Sequence, residues 1–364
     1  MSETVSQDEL ARGNESSLLG IIDSMLHEKN IHESLAGPLA AVRNALVPET
    51  RQQAPFLSVI LRTRGLRLEA LKDALLCLAG QTDQDFEVIL VDHDSEEAAS
   101  ADVRSIVATQ PESLRERVRV VDVVGGTRSR PLNVGVREAK GEYVAVFDDD
   151  DLLFADWVEQ FHRYSVEARG RILRSQAATQ RSVAEIWPGG IQGFESRSWP
   201  AAEYARDFDQ LHHLLVNHSP FMTMAFPRSA FTILGLEFDE ELSVCEDWDL
   251  ILRSSLLLGV LDVPALTAVY RRWEDVSSSY TEHSREEWAR SEARVIDRLD
   301  SAPVLLPPGS VRRIRKLLAA EPAWEHLELL TKSRSWKYTA PLRVLLMEAK
   351  KFRNQLRSRF RVRR

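Results

Sequence analysis

Four consecutive aspartates are the residues whose type and spacing say most about chemistry. Asp148 to Asp151 directly follow the apolar, strand-like segment YVAVF. Four like charges at the end of a strand repel one another, and a hard cation such as Mg²⁺ or Mn²⁺, which prefers oxygen ligands, relieves that repulsion. The alternative is a solvated acidic turn that caps a helix, because aspartate is favoured at helix starts. The position at a strand end favours the metal site.

A second group of acidic residues opens the segment CEDWDLILR, in which Glu246, Asp247 and Asp249 precede a helix-like apolar pattern. A carboxylate at the start of a helix is suited to act as a general base that takes a proton from an attacking hydroxyl. It is equally suited to cap the helix by accepting hydrogen bonds from free amide groups. From this motif alone both interpretations stay open.

Strand-like segments alternate with helix-like segments through the first half of the chain. The strand-like ones are FLSVILRTR, FEVILVDHDS, VRVVDVV and EYVAVFDDDD. Each is nearly continuous in apolar character, which predicts an α/β fold with a mostly parallel sheet covered by helices on both faces. Ligands bind beyond the carboxyl ends of the strands in such sheets. This rule directs attention to Thr63 and Arg64, to Asp92 and Asp94, and to the four aspartates.

The region from about residue 56 to residue 280 resembles the family 2 glycosyltransferases of the GT-A fold. Five elements carry the likeness, in the order that the family has them: LSVILRTR, VILVDHDS, PLNVGVREAKGEY, the DDDD run and LGLEFDEELSVCEDWDLILR. Their order and spacing are more specific than any one of them. The resemblance implies a GT-A-like sheet and an inverting transfer of a sugar from a nucleoside-diphosphate sugar to a hydroxyl group.

The resemblance also assigns roles to individual residues. It implies that Asp247 is the catalytic base, with Glu246 beside it, and that Asp148 and Asp150 hold Mn²⁺ or Mg²⁺. It implies donor contacts for Thr63, Arg64, Asp92, Asp94, Arg130, Asn133, Asp148 and Asp149. The donor is expected to be a UDP-, GDP- or dTDP-sugar, and the acceptor a glycan or a lipid-linked molecule.

Two segments depart from the family's pattern. Many members have Asp-Asp-Gly-Ser where this chain has DHDS at 92–95, and Ala-Arg-Asn where it has PLN at 131–133. The arginine that contacts the nucleobase is therefore Arg128 or Arg130, or is missing, and the nucleotide is left open. Further along, Arg271 or Arg272 in YRRWEDVSSS is suited to face the donor diphosphate.

Two other functions remain as alternatives. The run GGTRSRPL at 125–132 is similar to the glycine-rich phosphate loop of sugar-phosphate nucleotidyltransferases, but in those enzymes the loop follows the first strand, and here it comes after several elements. A non-catalytic GT-A scaffold protein is the second alternative. The acids at 148, 150 and 247 argue against it, because a scaffold has no reason to hold unpaired carboxylates together.

Composition limits the partners and the location. The 364 residues carry a net charge of -8, although Lys and Arg are in large excess after residue 311, so the rest of the chain is strongly acidic. An acidic body argues against a nucleic-acid binder. Cys77 and Cys245 are far apart and indicate a reducing compartment. With no export signal and no membrane-spanning run visible, the expected location is the cytoplasm.

Three regions are predicted: a helical N-terminal extension at 1–54, a catalytic domain at 55–280 and a helical, basic C-terminal region at 281–364. The final segment, TAPLRVLLMEAKKFRNQLRSRFRVRR, either makes a peripheral contact with the anionic inner face of the cell membrane or packs on the body through its apolar residues. The overlapping stretch SRSWKYTAPLR resembles one in bacterial surface-polysaccharide enzymes. That resemblance points to cell-envelope polysaccharide synthesis.

Overall fold

The computed structural model describes residues 17–28, 31–47, 54–168, 170–187, 191–274, 282–306, 309–319 and 332. The chain divides into two units, Met1–Pro308 and Gly309–Arg364. Neither predicted boundary, after residue 54 or after residue 280, coincides with this division. In the second unit, residues 310–319 form a helix. The basic segment from residue 339 onward, predicted to bind a membrane or to pack on the body, lies outside the described residues.

Helices and strands alternate along the first unit. Its helices are α1 (Leu18–His27), α2 (Glu33–Leu46), α3 (Leu68–Ala79), α4 (Glu97–Ala108), α5 (Glu112–Arg115), α6 (Ser129–Glu138), α7 (Trp157–Ala168), α8 (Gln210–His213), α9 (Ser229–Thr232), α10 (Glu246–Leu258) and α11 (Arg285–Asp300). Its strands are β1 (Leu57–Thr63), β2 (Phe86–His93), β3 (Val118–Val123), β4 (Tyr143–Asp148), β5 (Leu152–Leu153), β6 (Ile172–Trp187), β7 (Ile191–Ser196), β8 (Met224–Pro227) and β9 (Val260–Trp273). In the part of the chain that the structure describes, no helix has both the length and the apolar character needed to cross a membrane.

The strands form one sheet in the order β3-β2-β1-β4-β8-β6-β9-β5, and β7 pairs with β6. Strands β3, β2, β1 and β4 are parallel, as are β6 and β9, whereas β8 runs antiparallel to β4 and β6. The predicted α/β class with helices on both faces is confirmed, but the sheet is mixed beyond β4. Parallel strands need a long crossover, usually a helix. Strand β8 is instead reached from β7 through residues 197–223, where the only helical pieces described are one turn of α8 and a short 3₁₀ turn.

The central strand β1 is buried on both faces, which is why its sequence is an almost continuous apolar run. Leu57, Val59 and Leu61 face a core that contains α3, α4 and α7, and Ile60 faces the core beneath α6 and α10. Each fully buried side chain of this size stabilises the fold by roughly 1.5–3 kcal/mol. Helix α6 approaches the sheet so closely that a Cβ at Gly135 would lie 2.6 Å from Ile60 Cγ2.

The N-terminal helices α1 and α2 contribute to the same core as strands β4 and β8. Leu19 and Leu46 are at most 3% exposed and belong to the cluster that includes β4, β8 and α10. The Ser17 side chain caps α1 by accepting from the amide of Gly20 at 3.1 Å. The hydroxyl of Ser229 in α9 donates to the carbonyl of Leu46 at 2.9 Å. The predicted extension is therefore built into the body of the first unit.

Candidate functional site

The carboxyl ends of β1 and β4 bring basic and acidic side chains together. In the parallel register Arg62 lies beside Asp148, and Arg62 Nη2 is 2.8 Å from Asp148 Oδ1. Arg67, in the turn before α3, is ion-paired with Asp150. The first and third aspartates of the run thus face a shared pocket, each compensated by an arginine.

The second and fourth aspartates of the run turn into the protein. Thr63 Oγ1 donates to Asp149 Oδ2 at 2.6 Å, and the amide of Arg271 donates to Asp151 Oδ1 at 2.8 Å. Both carboxyls are nearly inaccessible to solvent. Burial raises the pKa of Asp149 to about 7 and that of Asp151 well above its ordinary value. These two residues fix the loop that carries Asp148 and Asp150.

The strand ends enclose a pocket that is open to solvent. We call it the strand-end pocket. It is lined by Arg62, Thr63, Arg64, Leu66, Arg67, His93, Arg128, Asp148, Asp149, Asp150, Asp151, Tyr270, Arg271, Arg272, Trp273 and Glu282. Its polar lining consists largely of arginines and aspartates, so charged groups dominate its chemistry.

Two buried donors at the end of β9 lack a partner within the described protein. Arg271 Nη2 donates to Asp73 at 3.0 Å and the guanidinium lies 3.9 Å from the centre of the Phe194 ring, but Nη1 has no hydrogen-bond partner among the residues described. The same holds for Nε1 of Trp273. Both residues line the strand-end pocket. Buried donors without partners are costly, so a ligand with acceptor oxygens would complete this wall.

The predicted donor-binding residues divide into those that line this pocket and those that do not. Thr63, Arg64, Asp148 and Asp149 line it, as does His93, the residue between the predicted Asp92 and Asp94. Neither Asp92 nor Asp94 is among the lining residues. Asp92 accepts from the hydroxyls of Ser95 and Ser100, and Asp94, at φ +53°, accepts from the amide of Gly125 at 2.6 Å.

Asn133 and Arg130 also lie outside the pocket lining. Asn133 is buried, donates to the Phe238 carbonyl at 2.9 Å and accepts from the Phe238 amide at 2.8 Å, so it ties α6 to the segment before α10. Arg130 is exposed and packs over Gly126. Of the two arginines considered at the sequence level, the one that reaches the pocket is Arg128. It is also the only residue of the glycine-rich run at 125–132 to do so among those described.

The start of α10 forms a second acidic group. Arg128 Nε donates to Glu246 Oε1 at 3.0 Å, and Arg62 Nη1 lies 3.7 Å from the same oxygen. The Glu246 carboxylate raises the pKa of the Arg128 guanidinium, which remains charged. Asp247 has no cationic side chain in direct contact in the described structure and instead accepts from two neutral donors. Burial raises the pKa of Asp247 to about 7.

Asp247 lies in a second cavity, which we call the helix-start pocket. It is lined by Arg62, Arg128, Leu132, Val146, Asp148, Asp151, Tyr204, Asn217, Ser219, Pro220, Phe221, Met222, Val244, Cys245, Glu246, Asp247, Tyr270 and Trp288. Four aromatic residues belong to this lining, whereas its only arginines, Arg62 and Arg128, are both paired with acids. Trp288 is placed there by α11, which begins with a capping box formed by Ser284 and Glu287.

The two pockets share part of their walls. Five residues line both: Arg62, Arg128, Asp148, Asp151 and Tyr270. A ligand in the strand-end pocket would therefore meet a ligand in the helix-start pocket at the Arg62–Asp148 pair. The arrangement suits a reaction between an anionic molecule and a second molecule whose proton is taken by Asp247.

The chemistry of the acidic loop fits a hard divalent cation. Asp148 and Asp150 supply carboxylate oxygens, the ligands that Mg²⁺ and Mn²⁺ prefer. Among the described residues, no group of three or more His, Cys, Asp or Glu side chains is arranged to hold a metal ion. Mg²⁺ is commonly held by one or two carboxylates together with substrate phosphates and water. The two aspartates thus suffice as protein ligands for an ion that arrives with a phosphate ligand.

Several residues of the site were not predicted from the sequence. Arg62 and Arg67 flank the predicted Thr63 and Arg64, and the parallel register of β1 and β4 could have identified Arg62. No pattern in the sequence singles out Asn217 or Trp288. Both come from segments distant in the chain from Asp247, and only the tertiary fold brings them to it.

Known proteins resemble this chain in sequence and in fold. Residues 58–226 match the family described as glycosyl transferase family 2. The crystal structure of S. aureus TarS 1-349 in complex with UDP-GlcNAc superposes with a TM-score of 0.50 at 18% identity, covering 66% of this chain and 66% of that one. A crystal structure of the same TarS fragment in complex with UDP gives a TM-score of 0.48, also at 18% identity, over 66% of this chain and 64% of that chain.

One curated relative is also similar. The uncharacterized protein y4gI of Sinorhizobium fredii is 29% identical over 228 residues, which are 60% of this chain and 24% of that protein. The chain thus spans about a quarter of the length of this relative and about two thirds of the TarS fragment. At 18% identity the likeness to TarS concerns the fold, and it agrees with the GT-A-like sheet. In sequence, the region from residue 58 to residue 226 is thus similar to glycosyl transferase family 2.

Proposed function

We propose that this glycosyltransferase moves a sugar from a nucleoside-diphosphate sugar to a hydroxyl of a glycan or glycolipid acceptor, by direct displacement with inversion. The observation that carries the proposal is the pair of pockets that meet at Arg62 and Asp148. One pocket is rich in charged groups. The other holds an aspartate whose raised pKa matches a general base at neutral pH.

The strand-end pocket is the proposed donor site. Arg64, Arg67, Arg271 and Arg272 line it, and the planar guanidinium fork of arginine is suited to phosphate oxygens. The unpartnered Nη1 of Arg271 and Nε1 of Trp273 would donate to the diphosphate or the sugar. Because S. aureus TarS shares the fold and was crystallised with UDP-GlcNAc, a UDP-sugar is the first donor to test, followed by GDP- and dTDP-sugars.

We also propose that Asp148 and Asp150 hold Mn²⁺ or Mg²⁺ together with the donor diphosphate. When bound there, the ion would supply positive charge that offsets the charge growing on the departing nucleoside diphosphate. Several arginines of the site are already paired with its acids. A diphosphate that enters alone would therefore add negative charge that these paired arginines do not offset. A cation that enters with the diphosphate avoids that repulsion.

Asp247 is the proposed general base. It lies in the helix-start pocket, where it would remove the proton from the acceptor hydroxyl as that oxygen attacks the anomeric carbon. Glu246 is occupied by Arg128 and Arg62, so it would hold those arginines at the junction of the pockets. The two acids thus have different proposed roles because Glu246 is paired with arginines and Asp247 is not.

The helix-start pocket is the proposed acceptor site. Tyr204, Phe221, Tyr270 and Trp288 give it aromatic walls, and the apolar faces of sugar rings pack well on aromatic surfaces. Its two arginines are paired with acids, so it offers no free cation for an anionic acceptor within the described lining. We infer that the group entering this pocket is a neutral sugar. A role in cell-envelope polysaccharide synthesis stays a prediction from the C-terminal resemblance.

The first experiment is a thermal-shift panel of UDP-, GDP-, dTDP- and CMP-sugars with and without Mn²⁺. A ligand that binds the folded state alone raises the melting temperature, by an amount set by its concentration relative to its Kd. We expect one nucleotide class to stabilise the protein in a metal-dependent way, and nucleotide release on addition of an acceptor glycan. Absence of stabilisation by every nucleotide-sugar would contradict the proposal, and pyrophosphate exchange would indicate a nucleotidyltransferase instead.

A further inference from the structure

The carboxylate of Asp247 is held at both oxygens, by two different kinds of donor. The amide of Trp248 donates to Oδ1 at 2.7 Å. Asn217 Nδ2 donates to Oδ2 at 2.8 Å. The first bond comes from the backbone of the next residue in α10, whereas the second comes from a side chain 30 residues away in sequence. The direction in which Oδ2 points thus depends on a single replaceable side chain.

The amide group of Asn217 has a defined orientation. Its Oδ1 accepts a hydrogen bond from the backbone amide of Ser219 at 3.0 Å. Because that oxygen is engaged by a donor, the NH₂ end of the side chain must face Asp247. The orientation is therefore set by the backbone of the segment that carries Asn217.

The segment that carries Asn217, residues 209–219, is fixed from two sides. Arg174, which is 2% exposed, donates from Nε to Ser219 Oγ at 2.8 Å and from Nη1 to Asp262 Oδ1 at 2.8 Å. On the other side, Trp248 Nε1 donates to the carbonyl of His213 at 2.6 Å. A buried arginine, ion-paired with the partly exposed Asp262, and the helix that begins with Glu246 thus both hold the segment in place.

We propose that Asn217 is a positioning residue that aims the Asp247 carboxylate at the acceptor hydroxyl and keeps Oδ2 hydrogen-bonded as the base. The inference rests on the proposed function of Asp247. An amide suits this task because it donates a hydrogen bond at every pH and adds no charge to the acceptor pocket. A lysine or arginine in the same place would form an ion pair and weaken the base.

Both acidic and basic groups influence the Asp247 carboxylate. Besides burial, Glu246 and Asp148 raise its pKa, and Arg128 lowers it. His212 and His218 lie on the Asn217 segment with their Nε2 atoms 3.1 Å apart, and burial lowers the pKa of His218, which favours the neutral form of that imidazole. Cys245, beside Glu246, has its thiol pKa raised by burial and is neutral as well.

The test compares Asn217→Ala and Asn217→Asp with the wild-type chain. Asn217→Asp keeps the shape and the oxygen that accepts from Ser219, but it replaces the donor by an acceptor. We expect kcat at pH 8 to fall about 10- to 100-fold in both variants, the effect of losing one hydrogen bond to a charged group. The KM and Kd for the nucleotide-sugar should stay unchanged, and the acidic limb of the kcat profile of Asn217→Ala should move to higher pH.

Two further variants make the outcome decisive. Leu215→Ala changes an exposed side chain of the same segment, 73% accessible, and should behave as wild type. Asp247→Asn tests the base itself. If Asp247→Asn keeps its transfer rate, the proposed base is wrong. If Asp247→Asn is inactive while both Asn217 variants keep wild-type kcat and pH profile, or if they lose donor binding in parallel with kcat, the positioning role of Asn217 is overturned.

Discussion

The two pockets are built in different ways, although they share a wall. Most residues of the strand-end pocket lie at the ends of β1, β4 and β9 or directly after β1 and β4, and several of its ionic groups are neighbours in sequence or in strand register. The helix-start pocket is assembled from the start of α10, the 209–219 segment and α11, and aromatic groups replace most of the cations. The sheet edge thus places many charged side chains close together in the strand-end pocket. The shape and the hydrogen bonds of the helix-start pocket instead depend on segments that are distant in the sequence.

The difference between the pockets is sharpest at Asp247. Asp247→Asn should lower kcat by about 10²–10⁴-fold, because the amide cannot accept the proton of the acceptor hydroxyl. Donor binding in the strand-end pocket should be kept. Steady-state transfer and a thermal shift with the nucleotide-sugar measure the two properties separately. Full transfer activity in this variant would mean that the base is elsewhere.

A change of pH should test the role of Asp247 in transfer without any mutation. Burial raises the pKa of Asp247 to about 7, so the ionised, proton-accepting form is lost as the pH falls through that value. We expect kcat to fall about tenfold per pH unit below pH 7, reaching about 100-fold at pH 5. Donor binding, followed by thermal shift over the same range, measures the strand-end pocket separately, where burial also raises the pKa of Asp149 to about 7. A kcat profile that is flat down to pH 5 would contradict the assignment.

Substitution of Asp150 addresses the other side of the comparison. Asp150→Ala should weaken metal-dependent donor binding by at least about tenfold, because it removes one of two protein ligands for the ion. Asp122→Ala is the matched control, since Asp122 is an exposed carboxylate paired with Arg104. Titration of Mn²⁺ at fixed donor concentration, read by melting temperature, measures the effect. Equal Mn²⁺ dependence in Asp150→Ala and the control would remove the metal assignment.

The smallest effect is expected for the aromatic wall of the helix-start pocket. Trp288→Ala should raise the KM for a neutral glycan acceptor about three- to tenfold and leave the donor KM unchanged, because it removes one packing surface. Trp199→Ala, at a tryptophan that is 91% exposed and does not line either pocket, serves as the control. A change in the donor KM instead would show that the two pockets are not divided between donor and acceptor.

Local sequence predicted the parts of the site that depend on single strands. The aspartate run was found because it follows β4, and burial on both faces explains why β1, β2 and β4 were recognised. Pattern alone did not show that alternate members, Asp149 and Asp151, would turn inward to bond Thr63 and the amide of Arg271. Which aspartates turn inward depends on the hydrogen-bond donors that the tertiary fold brings next to them, and local sequence does not reveal those donors.

Other residues show the same limit. Asn133 was assigned to the donor by resemblance, but both of its amide atoms are used to hold the Phe238 backbone, a contact across 105 residues. Asn217 had no sequence signal because its function comes from one bond to Asp247, formed only when the 209–219 segment reaches α10. Antiparallel β8 was not predicted because the connection that leads to it, residues 197–223, contains only short helical pieces and gives no sequence pattern that indicates strand direction.

The N-terminal helices have a consequence for anyone who trims or recombines this protein. The region that matches the family model starts at residue 58, yet Leu19 and Leu46 lie in the core that β4, β8 and α10 complete, and Ile22 is buried as well. A fragment that begins at residue 58 would expose to water the apolar surface that these side chains cover. The packed unit is therefore larger than the region that sequence comparison detects, and exchanges of this region between relatives should include residues 17–47.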